Sequence, residues 1–277
     1  MVRVDAEARL THIRTLEKKH GKGAADDRFP FNVPAIRSLT QLDLSAPVTF
    51  FVGENGSGKS TMLEGIAAAA ALPTVGASEI ADDETLAAQR RLAASFKLVW
   101  EARTHRGFFL RAEDFFGFAR RLAQLRAEMN QRLKDIDEEY KNASAWARGL
   151  AASPAHGSLA EMTKRYGVDL DARSHGEGFL KLFEARLVPN AVYLLDEPEA
   201  ALSPQNQLVL LALFKEMVAQ ECQFIVATHS PMLLAYTGAR ILNFDTDPIT
   251  EVQWEDLEHV SLTRAFLENP RRFLDRL

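Results

Sequence analysis

The chain has one cysteine, Cys222, so no disulfide can form within it. Cys222 stands just before the apolar run Phe224, Ile225, Val226, Ala227, where a buried, inert thiol is expected. Long hydrophobic runs are also missing. The longest, residues 66–72 and 208–214, fall far short of the roughly 20 residues needed to cross a bilayer, so direct membrane insertion is not expected. Residues 1–7 hold no apolar signal-peptide core, and a cytoplasmic protein is expected. No internal repeat or long heptad array occurs, which excludes a long coiled-coil arm. Basic charge is in short supply overall: the net charge is −5, which argues against a generally basic nucleic-acid binder. The distribution is uneven, however. Between Gln89 and Lys134 there are 11 Lys/Arg and 4 Asp/Glu, a net charge of +7. Such a segment suits an acidic partner or forms a solvated helical face.

What the chain does have is a glycine-rich run with fixed spacing. Gly53, Glu54, Asn55, Gly56, Ser57, Gly58, Lys59, Ser60 and Thr61 satisfy G-x-x-x-x-G-K-[ST] at every fixed position. The apolar, β-rich residues 48–52 precede it, and an Ala-rich helical pattern over 59–72 follows. Strand, glycine loop and helix N-terminus together bind an anion. Glycines let the backbone fold tightly enough for its N–H groups to converge on phosphate oxygens. Lys59 adds a point charge for the outer phosphates, and the Ser60 hydroxyl is a Mg²⁺ ligand. The implied ligand is a nucleoside triphosphate with Mg²⁺.

The 277 residues suit one large domain or two small ones. Residues 1–27 read as a charged stretch with a short helix ending near Gly21. Residues 29–44 alternate as strands leading into the loop strand. From 81 to 141 the pattern is mainly helical, broken by Gly107, Phe108, Phe109 and Leu110. Residues 143–158, rich in Ala, Ser, Gly and Pro, read as a flexible connection. Beyond that, short apolar strands at 191–195 and 224–227 have the composition of a parallel sheet buried on both faces. Ser203-Pro204 and Ser230-Pro231 each read as an N-cap with Pro in the first turn. Residues 241–254 alternate around Asp247-Pro248 as a terminal hairpin, and 262–277 form a basic amphipathic helix interrupted at Pro270.

The second chemical signal follows the strand at 191–195. Asp196 at its end can hold Mg²⁺ through its water shell. Glu197, one residue on, can polarise the attacking water. The next strand ends in Thr228-His229-Ser230, at the ligand-binding edge of a parallel sheet. There His229 can hydrogen-bond a γ-phosphate and sense its presence. The other histidines, including His12, His105 and His156, have no such setting.

With these residues in order, the chain resembles the ABC-type ATPases across roughly residues 30–245. Asp196-Glu197-Pro198-Glu199 looks like the extended Walker B motif, and residues 200–204 fall where the D-loop belongs. His229 matches the switch histidine. Ser174, Gly176, Glu177 and Gly178 stand where the family has its LSGGQ signature, opening a helix over 179–187. In the family that signature caps the γ-phosphate held by the other subunit. Two departures stand out: His175 interrupts the signature, and no Q-loop glutamine is evident. The segment expected to carry it reads Arg111-Ala112-Glu113-Asp114, where Glu113 is a candidate for the metal-facing role. The whole pattern is similar to small stand-alone bacterial ATPases of the SMC-like, AAA-annotated branch. No N-K-x-D motif stands anywhere for guanine selection.

The resemblance implies an α/β P-loop fold with a mainly parallel sheet, N-terminal antiparallel strands and a helical insertion. The chain is expected to be one domain over 1–277, with a helical subdomain at about 76–189. ATP and Mg²⁺ are the implied cofactors. Glu197, Lys59 and His229 are the implied catalytic residues. An ATP-bound homodimer and hydrolysis of ATP to ADP and phosphate follow, with DNA repair or defence as the setting and nucleic acid as a candidate partner. The alternatives are the nucleotide-binding subunit of a transporter, which needs a separate membrane partner, and a non-hydrolysing interaction module.

Overall fold

The structure is a computed structural model in which residues 11–19, 28–75, 86–166 and 175–275 are described. The elements run β1 (Ile13–Lys18), α1 (Pro34–Arg37), β2 (Gln41–Asp43), β3 (Val48–Val52), α2 (Lys59–Ala70), α3 (Leu86–Ser95), β4 (Phe96–Trp100), β5 (Gly107–Arg111), α4 (Ala112–Glu139), α5 (Ala145–Tyr166) and α6 (His175–Glu184). They continue with β6 (Val192–Asp196), a 3₁₀ turn (Pro198–Ala201), α7 (Pro204–Val218), β7 (Gln223–Ala227), α8 (Pro231–Leu234), β8 (Arg240–Asn243), β9 (Thr250–Val252), a second 3₁₀ turn (Trp254–Asp256), α9 (Glu258–Glu268) and α10 (Pro270–Leu274).

The main sheet has the order β5-β6-β7-β3-β8-β9. All its pairs are parallel except β8 with β9. Strands β3, β6 and β7 are buried at every position, as strands covered on both faces must be. Period-2 alternation divides them between two cores. Phe51, Leu194 and Ile225 face α2 with Met62, Leu63 and Ile66. Phe50, Tyr193 and Phe224 face the other way, with Phe179, Phe183 and Phe214 of α6 and α7. The mixed α/β, parallel-dominated P-loop architecture expected from the motifs is what forms.

A second, antiparallel sheet, β2-β1-β4, covers the α2 side. Gln223 locks the two sheets together. Its Oε1 accepts from Ile13 N at 2.7 Å and its Nε2 donates to Leu44 O at 2.6 Å, so a buried amide is satisfied on both ends. His12 bridges Ala102 O and Glu221 O at 2.8 Å each.

Three local expectations are corrected. Residues 13–18 form strand β1, where a short helix was expected, because Ile13 and Leu16 are buried and the backbone pairs on both sides. Residues 96–100 form β4 inside a stretch read as helical, because β1 supplies a partner distant in sequence. Residues 143–158 do not form a flexible connection. Most of them belong to α5, with Pro154 inside it. Proline removes one helical hydrogen bond there. Packing against α4 offsets it: Ala155, Leu122 and Ile136 are buried, and Arg126 Nη2 donates to Met162 O at 3.4 Å. The helices α4 and α5 form a paired hairpin. At 28 residues, α4 is about 42 Å long.

Candidate active site

Parallel strands deliver their C-terminal ends to one edge, and the site is built there. After β3, the loop turns through Gly53, Gly56 and Gly58 at φ 145°, 87° and 105°, which L side chains rarely adopt. Gly58 directly precedes Lys59 at the start of α2. Glu54, Asn55 and Gly56 are exposed at the loop tip, while Lys59 is buried. Lys59 Nζ donates to Gly53 O at 2.7 Å and to Glu54 O at 2.9 Å, so the ammonium is folded back on the loop's own carbonyls. Burial lowers its pKa, and Glu197, Asp245, Asp196 and Glu199 pull the other way. Ser57 Oγ is buried without a hydrogen-bond partner among the described residues. Thr61 follows in the first turn of α2.

Ser60 and Asp196 are 136 positions apart, yet Ser60 Oγ donates to Asp196 Oδ1 at 3.0 Å. A hydroxyl and a carboxylate held together offer hard oxygens, the donor set that suits Mg²⁺. Burial is the main influence on Asp196 and raises its pKa to about 6, against the opposing effects of Ser60, Arg111 and Lys59. A buried anion of this kind is one that a cation stabilises.

Glu197 adopts a left-handed backbone conformation at φ 48°, which turns the chain off β6. His229 Nε2 lies 3.8 Å from Glu197 Oε1, beyond hydrogen-bond distance, and has no hydrogen-bond partner among the described residues. The His229 backbone N–H donates to Glu199 Oε1 at 2.6 Å, which ties the end of β7 to the turn after Glu197. Glu199 is mostly buried, and burial raises its pKa.

The signature segment is placed in part. Ser174 lies outside the described residues. Helix α6 begins at His175, four residues before the expected start, so Gly176 and Glu177 lie in its first turn. Glu177 is exposed and Gly176 buried. A Cβ at Gly176 would meet Asn206 Nδ2 at 2.6 Å and Ala201 O at 3.1 Å. A larger residue would have to displace the Asn206 amide and crowd Ala201 O, so close packing by itself favours a glycine there.

Three residues at this edge were missed. Arg111 ends β5 in register with Asp196 and ion-pairs with Glu64 of α2. The other candidate from this segment, Glu113, is exposed in the first turn of α4. Asp245, just past β8, accepts from Glu54 N at 2.7 Å and braces the phosphate loop. His259 of α9 lines, with Asn55, Ser57, His229 and Asp245, a cleft of about 870 Å³, a volume typical of small-molecule sites. Burial and the neighbouring His229 lower the pKa of His259. Asking what ends every parallel strand, rather than only β3, β6 and β7, finds Arg111 and Asp245 from sequence. His259 has no such signal.

The basic run of residues 89–134 is spread over α3, β4, β5 and α4. Arg111 pairs with Glu64 and stands 3.9 Å from Asp196, and Lys97 pairs with Glu17 at 3.3 Å. Arg120 and Arg121 are exposed on α4. Among the described residues no helix is long and apolar enough to cross a membrane.

Comparison with known proteins agrees with the motif order. Residues 177–234 match a family model described as AAA ATPase domain, and residues 31–74 one described as AAA domain. The two matches fall on the segment that carries Asp196, Glu197 and His229 and on the glycine-rich loop. No curated protein matches the chain. Among solved structures, it is similar to cbiO1 from Clostridium perfringens, part of the ABC transporter complex cbiONQ. The identity is 17%, the TM-score 0.43, and the match covers 98% of this chain and 100% of that one. It is also similar to the Smc head domain of Pyrococcus furiosus, solved with the C-terminal domain of ScpA. There the identity is 14%, the TM-score 0.45, and the match covers 94% of this chain and 99% of that one.

Proposed function

We propose that this chain binds Mg²⁺·ATP and hydrolyses it to ADP and phosphate in an ABC-type cycle. The observation that carries the reading is the Ser60 Oγ to Asp196 Oδ1 contact of 3.0 Å. It joins the phosphate loop to the end of β6, with Glu197 and His229 on the same sheet edge. Loop N–H groups from residues 53–61 cradle the phosphates. Lys59 leaves the carbonyls of Gly53 and Glu54 and neutralises the outer phosphate oxygens. Ser60 and Asp196 would hold Mg²⁺, which would supply positive charge against that of the phosphates. Glu197 accepts a proton from the attacking water, and His229 donates to the γ-phosphate.

The tip of the phosphate loop is exposed and the signature segment lies on a different part of the same chain. Both fit a head-to-tail homodimer in which Ser174, Gly176 and Glu177 of one chain close on the ATP of the other. Within residues 76–189, the α4–α5 hairpin and α6 are read as the helical subdomain of a single domain, while β4 and β5 belong to the two sheets. A cytoplasmic setting in DNA repair or defence, with nucleic acid met along α4, completes the reading.

The test is the ATPase rate of the purified chain with Mg²⁺ and with EDTA, repeated with duplex DNA and with liposomes. Glu197→Gln keeps the shape and loses the base. It is expected to bind ATP, to hydrolyse it about 10²- to 10⁴-fold more slowly, and to run as a dimer with ATP on size exclusion. A Glu197→Gln protein that binds ATP and stays monomeric at micromolar concentration refutes the dimer. Stimulation by liposomes and not by DNA refutes the nucleic-acid setting.

A further inference from the structure

Arg111 sits among three carboxylates. It ends β5 opposite Asp196 in the parallel register, and its Nε lies 3.9 Å from Asp196 Oδ2. Its Nη2 pairs with Glu64 of α2, and Asp114, one turn into α4, feels its charge. Glu64 is fixed in turn by Gln89 of α3, whose Nε2 donates to Glu64 Oε2 at 2.8 Å. The guanidinium also stands 5.3 Å from the Phe109 ring centroid, on its own strand. The Arg111 side chain is 27% exposed, Glu64 13% and Asp196 9%, so these charges meet in a partly desolvated place.

A guanidinium this close to Asp196 cannot be indifferent to a divalent cation on the same carboxylate. The two repel, and they compete for one anion. Arg111 has somewhere to go, because its Nη2 already pairs with Glu64. It is also the residue directly before α4, and α4 packs against the 3₁₀ turn that follows Glu197.

We propose that Arg111 is a positioning residue: it partly offsets the charge of Asp196 while the metal is absent, withdraws towards Glu64 when Mg²⁺·ATP arrives, and carries that displacement into α4 and the α4–α5 hairpin. The proposal rests on the reading of this edge as a Mg²⁺·ATP site. Asp196 then has a partial counter-charge until the metal arrives, and the helical hairpin senses the metal through the residue that precedes it.

The experiment measures binding of a non-hydrolysable ATP analogue by calorimetry across a Mg²⁺ titration, with EDTA as the metal-free baseline. Arg111→Gln removes the competitor, so the Mg²⁺ concentration for half-maximal binding should fall by about threefold or more. Glu64→Gln removes the alternative partner and leaves Arg111 on Asp196, so the same quantity should rise. Opposite shifts separate competition from simple damage to the fold, which would weaken binding in both. Hydrogen exchange over residues 112–122 gives a second readout. Metal-dependent protection by Mg²⁺ and the analogue is expected in the native protein and should be lost in Arg111→Gln. Unchanged metal dependence in both variants, or shifts of the same sign, overturns the proposal. Failure of the native protein to bind Mg²⁺ and the analogue at all sinks instead the reading on which it rests.

Discussion

Replacing Asp196 by Asn should stabilise the metal-free, nucleotide-free protein at neutral pH, although it removes the acid assigned to the metal. Asp196 is 8% exposed, and burial raises its pKa from 3.8 to about 6. Between those values the folded state holds more protons than the unfolded state, so stability falls as pH rises through the window. Above about pH 6 the penalty is fully present; below about pH 4 it is gone. A shift of about two units corresponds to about 3 kcal/mol. Asn keeps an oxygen to accept from Ser60 Oγ and leaves Arg111 its pair with Glu64, so most of that gain survives. For a chain of this size the gain raises the Tm by on the order of 5 °C. The assay is thermal unfolding in EDTA from pH 4 to pH 8. The Asn variant should melt higher at pH 8, and the gap should close on acidification through pH 6. Adding Mg²⁺·ATP should reverse the order, because only the native carboxylate gains the metal. A variant that melts lower at pH 8, or a gap that ignores pH, refutes the account of Asp196 as a buried anion awaiting a cation.

Lys59→Ala should weaken ATP binding beyond detection by calorimetry, since it deletes the one cation of the phosphate cradle; an unchanged dissociation constant removes the loop from the mechanism. Ser174→Arg should bind ATP normally and lose turnover. Mixing it with Lys59→Ala protein should restore part of the ATPase rate, because one composite site then has both halves intact, and no rescue at any ratio refutes the head-to-tail arrangement. Gly107→Ala should cost more than about 2 kcal/mol in urea unfolding. Gly107 has φ 116°, and an added Cβ would lie 1.8 Å from Val192 O of the neighbouring strand, so an unchanged midpoint contradicts the β5–β6 register.

Sequence alone determined the parts of this protein whose chemistry is contiguous. Residues 53–61 carry their own backbone geometry, because glycines at fixed intervals admit the positive φ values the loop needs. Asp196, Glu197 and His229 were legible because buried parallel strands are short apolar runs, and their C-terminal ends meet at one edge whatever the rest of the fold does. Ser203 and Ser230 cap α7 and α8 as their Ser-Pro pairs predict. What only the tertiary structure decided depends on partners distant in the chain. Strand β1 exists because β2 and β4 flank it, and α5 survives Pro154 because α4 lies along it. Arg111 looked like an ordinary charge in a basic run until the register of β5 against β6 set it beside Asp196. Asp245 and His259 reach the phosphate loop only because the chain after β7 returns to the edge of β3. Local backbone preference is written residue by residue, but which charges share a desolvated space is settled by the packing of segments whose order along the chain says little about who will meet.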